Sequence, residues 1–80
     1  INVINDIKND VKFLSQEQNE KQLTIVTHPF VYAFLSKGII RKPYKKWEKL
    51  YSVKLKLQHS NDLAITEYNF FNKNGSKIEL

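Results

Sequence analysis

The hydrophobic pattern of this chain changes period along its length, and that constrains its fold more than any other feature. Ile4, Ile7, Val11 and Leu14 recur at i, i+3, i+7 and i+10, one face of an α-helix. Leu23-Thr-Ile-Val-Thr27 is instead β-branched and partly alternating. Val53-Lys-Leu-Lys-Leu57 alternates strictly, the pattern of a strand with one buried and one wet face. Helical and strand periods interleaved in one short chain give an α+β fold.

The boundaries follow from caps and turns. Asn2 or Asn5 can cap a first helix over 3–16, Asp6 suits its first turn, and the polar run Ser15 to Gln22 ends it. A strand over 22–28 is closed by His28-Pro29. Pro29 suits the first turn of a helix over 29–37, where its missing N–H costs nothing, and Gly38 is the C′ stop. Pro43 can open a further helix over 43–51 with Trp47, Leu50 and Tyr51 apolar, followed by a strand over 53–58. His59-Ser-Asn-Asp62 is a turn cluster, and Leu63 to Phe71 reads as a third strand, hairpin-paired to the second. Asn72-Lys-Asn-Gly75 is a tight turn with Gly75 free to take positive φ; Lys77 to Leu80 either adds a short edge strand or leaves the domain. A right-handed strand–helix–strand crossover lays the first two strands parallel. The expectation is one small domain over 1–80, in the order α-β-α-β-β, with a three-stranded mixed sheet and helices on one face.

Eighty residues make one domain, and the chain has no Cys, so neither a disulfide nor a thiolate metal site staples it. A single core of this size gains only roughly 3–5 kcal/mol without a staple. Support from a longer chain or a second copy is therefore expected, and a start at Ile1 without Met reads as part of something longer. No stretch reaches the roughly 20 apolar residues of a membrane span, and Ile1 to Asp10 is not a signal peptide, so no membrane partner is expected.

Catalytic groups are sparse. His28 at a strand end caps the next helix or packs, and His59 is a solvated turn residue. There is no metal-ligand spacing and no glycine-rich phosphate loop, since the two glycines are Gly38 and Gly75. Asp6 and Asp10 share a helix face but alternate with Lys8 and Lys12, and Asn74-Gly-Ser76 is turn chemistry. The chain alone is read as no enzyme, without catalytic, cofactor-binding or metal residues and without a small-molecule substrate.

The charge is concentrated. Between Lys37 and Lys56 eight cations face one acid, Glu48, giving +7, while the rest of the chain carries −2. Cations beside aromatics suit a surface that holds phosphates and stacks bases, so Arg41, Lys42, Tyr44, Lys45, Lys46 and Lys49 are candidate RNA contacts. A helix with a solvated lysine face and buried aromatics explains the same residues. The third strand has apolar groups on both faces, more than helices on one side can cover. Trp47, Tyr68, Phe70 and Phe71 are therefore candidate interface residues for self-association or packing on another domain.

Two segments resemble a known family. His28-Pro-Phe-Val-Tyr-Ala-Phe-Leu-Ser-Lys-Gly38 is similar to a junction of the form HPFVAAYxxKG, and Tyr68-Asn-Phe-Phe-Asn-Lys-Asn-Gly75 to an ending of the form YxFFDxxG. Both are found in the C-terminal small domain of ribonuclease G, of the ribonuclease E/G family, in Bacteroides-like bacteria. The resemblance spans nearly the whole chain, with Pro43 a departure inside the basic segment. It implies a non-catalytic module of a cytoplasmic endoribonuclease that processes rRNA and turns over mRNA, one that holds subunits together. Magnesium on paired Asp residues and a Cys-Pro-x-Cys zinc link are implied only upstream of such a module, so no cofactor is expected here.

Overall fold

The computed structural model describes residues 2–37 and 42–80. Helix α1 (Asn2–Gln16) buries Ile7, Val11 and Leu14 of the expected stripe, with Val3 buried in place of Ile4, which is only half-buried against the core. It starts early enough that Asp6 falls beyond the first turn. Strand β1 (Gln22–Thr27) points Leu23, Ile25 and Thr27 into the core. His28 then caps helix α2 (Pro29–Ser36): its Nδ1 accepts the Phe30 N–H at 3.0 Å, and Pro29 occupies the first turn. Helix α3 (Pro43–Tyr51) also opens on proline and ends at Ser52, a left-handed residue with φ 53°. Strands β2 (Lys54–His59), β3 (Tyr68–Phe71) and β4 (Lys77–Ile78) follow. The C′ role of Gly38 lies outside the described residues.

The sheet order is β2-β1-β3-β4, with β1 parallel to β2 and every other pair antiparallel. Leu23 faces Leu55 across the parallel pair, and Ile25 faces Phe70 across the antiparallel one, so these residues share one side of the sheet. The buried side chains of all three helices join them in a single core, which places the helices on that one side.

Four expectations are corrected, the first being the element order, which is α-β-α-α-β-β-β instead of α-β-α-β-β. The sheet has four strands, because Lys77–Ile78 pairs with β3. The third strand is shorter, since Leu63 to Glu67 are not extended. Ala64 N–H donates to Glu67 Oε1 at 2.7 Å and Glu67 N–H returns to Ala64 O at 2.9 Å, which closes a turn. And β3 pairs with β1, not with β2 as a hairpin, because the 60–67 loop carries the chain past the end of β1. This leaves β1 central, hydrogen-bonded on both sides, and β2 at an edge.

Candidate functional site

The helical period of α3 divides its residues sharply. Trp47 is 4% exposed and Tyr44 and Tyr51 are half-buried against the core. Lys42, Lys45, Lys46 and Lys49 emerge on the other side and, with Leu50, line a shallow depression of about 670 Å³. Four of the RNA-contact residues expected from the sequence are thus brought together. Tyr44 is not among them: it packs inward, with Lys45 Nζ 5.4 Å from its ring centroid. Arg41 lies outside the described residues.

One lysine of this face is already engaged. Lys45 Nζ lies 3.4 Å from Glu48 Oε1, while Glu48 Oε2 accepts the Leu55 N–H at 2.6 Å. The carboxylate therefore ties α3 to β2 and lowers the positive potential within the lysine row.

The basic segment does not form one surface. After the left-handed turn at Ser52 the chain enters the sheet, where Leu55 points into the core and Lys54 and Lys56 project from the opposite side, which none of the described helices covers. The alternation of Val53 to Leu57 is the signal for this: lysines between core aliphatics must face away from the helices.

The interface candidates are corrected in part. Phe70, 1% exposed, spends its side chain inside the core and offers nothing to a partner, whereas Trp47, only 4% exposed, still contributes to the lining of an apolar groove on the helix layer. Tyr68 also faces the helices, and its hydroxyl donates to Asp10 Oδ2 on α1 at 2.6 Å. Burial, reinforced by that bond and by the charges of Asp10 and Asp6, holds its phenol far above the ordinary tyrosine range. Phe71 alone lies on the open side of the sheet, half-buried.

The surplus apolar surface is on the helix layer instead. Phe30 and Phe34 of α2 are 72% and 55% exposed. With Ile65 of the 60–67 loop and with Val3 and Ile4 of α1 they line a groove of about 680 Å³, and Lys8 and Lys46 also line it. The sequence holds a signal for this too. Val31 and Leu35 form the buried i, i+4 pair of α2, so Phe30 and Phe34, one position earlier, form a second stripe that the same core cannot reach.

His59 ends β2 with its ring edge-on to Tyr32 at 4.8 Å, so it packs in part instead of standing free in a turn. Among the described residues no group of three or more His, Asp or Glu side chains is placed to hold a metal ion, and no helix is long and apolar enough to cross a membrane. No protein-family model matches the chain, and neither the curated proteins nor the solved structures contain a match to it.

Proposed function

We propose that the chain is a non-catalytic C-terminal module of a ribonuclease G-like endoribonuclease, in the cytoplasm of a Bacteroides-like bacterium, serving subunit assembly or packing on the catalytic body. The observation that carries this reading is the exposed apolar groove at Phe30, Phe34 and Ile65 on a domain too small to be strongly stable alone. Covering a Phe side chain fully contributes roughly 1.5–3 kcal/mol. Two such residues one turn apart give a partner a ready anchor. The similarity of His28–Gly38 and Tyr68–Gly75 to the ribonuclease E/G pattern supports the choice of family. The magnesium and zinc of that family belong to residues upstream; this chain has no Cys to contribute.

Sedimentation velocity over a wide concentration range, at low and high salt, tests self-association. A dimer that persists in salt and is lost in Phe30→Ser/Phe34→Ser is the expected result. A monomer at every concentration sinks self-association through this groove.

A second reading is an RNA-binding accessory role, favoured by the convergence of Lys42, Lys45, Lys46 and Lys49 on one helix face. Affinity through that face falls steeply with salt, because each neutralised phosphate releases counterions. Charge reversal at Lys45 and Lys46 removes it.

A further inference from the structure

The α3 face supplies cations, but Trp47 is buried and the half-buried Tyr44 ring is packed against the core with Lys45 Nζ 5.4 Å from its centroid. The uncovered side of the sheet supplies cations and an aromatic ring. Strand register puts Lys56 of β2, Thr24 of β1, Phe71 of β3 and Lys77 of β4 directly beside one another in one row across all four strands. Neighbouring strands are about 4.8 Å apart, so the row is about 14 Å long, with a cation at each end and an aromatic ring between. On the side of the row toward the C-terminal end of β1, register aligns Gln58, Val26 and Asn69; on the other side it aligns Lys54 and Gln22. None of these paired positions carries a carboxylate; Glu79 lies two residues past Lys77, beyond the end of β4.

A polar outer face is ordinary for a sheet with helices on one side. This one departs from the ordinary in two ways: the charge at its strand-paired positions is of one sign, and an aromatic ring stands at the middle of the row. Phosphates complement the lysines, a base complements the Phe71 ring, and the amides of Gln58 and Asn69 with the Thr24 hydroxyl can bond base edges and ribose hydroxyls. Open four-stranded sheets with aromatic groups on their face stack two or three bases in RNA-binding modules. We infer that the uncovered sheet face, centred on the Lys56–Thr24–Phe71–Lys77 row, is a binding platform for single-stranded RNA. The inference rests on reading the chain as part of an RNA-processing enzyme, and it assigns RNA to a surface on the opposite side from the assembly groove.

The test is a fluorescence-anisotropy titration of the 80-residue chain with a short labelled oligouridylate at several salt concentrations. Phe71→Ala weakens binding about tenfold with the salt slope unchanged, because stacking is lost and phosphate contacts stay. Phe71→Leu, which keeps the apolar volume, weakens it similarly, and an unchanged circular dichroism spectrum separates lost stacking from lost folding. Lys56→Glu and Lys77→Glu each reduce the salt slope by about one. Wild-type affinity from both Phe71 variants, or binding abolished by Lys45→Glu/Lys46→Glu but untouched by the sheet-face variants, overturns the proposal. So does a deoxyuridylate bound as tightly as the RNA, or a dimer that Phe71→Ala dissociates, which would give the face to a second copy. Sedimentation of the Phe30→Ser/Phe34→Ser variant reports separately on the assembly reading, so either can fail alone.

Discussion

The contact between Tyr68 and Asp10 joins residues far apart in sequence, the first helix and the third strand, through one hydroxyl at 2.6 Å. A hydrogen bond to a carboxylate contributes more than a neutral one, and at a half-buried site Tyr68→Phe is expected to cost about 1–2 kcal/mol in urea denaturation at neutral pH. The pH dependence has a definite sign. The folded phenol has a raised pKa, so the native state favours its neutral form. The stability tied to it is complete below the unfolded value of about 10, and is lost as pH climbs from there toward the folded value. The gap between wild type and Tyr68→Phe therefore stays constant to about pH 10 and narrows above it. A gap that widens with alkali contradicts this account. Neither partner was legible as a pair: Asp10 looks like one of several surface carboxylates, and Tyr68 like part of an apolar strand, because the bond depends on where β3 sits.

At the scale of the element, the edge of the sheet is what Glu48 protects. Lys54 and Ser60 donate their N–H groups inward to the carbonyls of Lys21 and Thr27, so the N–H of Leu55, one residue after Lys54, points off the free edge of β2. Glu48 takes it, and α3 thereby covers part of an edge that would otherwise invite another strand. Glu48→Ala is expected to cost about 1–3 kcal/mol and to speed amide exchange at Leu55 more than at Leu23 on the central strand. Equal acceleration at both sites would mean that the variant loosens the whole fold and not this edge. Local pattern was enough to find α1, β1, α2, α3 and β2, because each carries its own period and its own punctuation at Pro29, Pro43 or His28. The Asn72–Ser76 turn was equally legible, with Gly75 at φ 84° as its residues demand. Pairing was not. Which strand β3 joins depends on the path of the 60–67 loop, and the reciprocal Ala64–Glu67 bonds that shorten β3 look in sequence like continuing strand. The lysines of α3 could be grouped by helical period, but Lys54 and Lys56 change layers after Ser52, so a charge count along the chain merged two separate surfaces.

For the whole molecule, the helices and the core lie on one side of the sheet, and the two proposed surfaces lie on opposite sides of that arrangement. The groove at Phe30, Phe34 and Ile65 belongs to the helix layer, whereas Lys56, Phe71 and Lys77 face away from it. Binding that orders or covers one surface has no shared side chain through which to alter the other. Linkage is reciprocal, so a coupling near zero must appear in both directions. RNA should leave the sedimentation dimer intact, and Phe30→Ser/Phe34→Ser should bind oligouridylate with wild-type affinity per protomer. Salt separates the two surfaces again. Apolar association persists as ionic strength rises, while RNA affinity falls with the number of phosphates held. If the native state is a dimer, its thermal midpoint also climbs a few degrees per tenfold increase in protein concentration, and the double serine variant loses that dependence. A dimer that RNA disperses would show that both ligands compete for one face. Lys46 lines the groove as well as the lysine face of α3, so that competition would arise either there or on the sheet, and Lys46→Glu and Phe71→Ala tell the two apart.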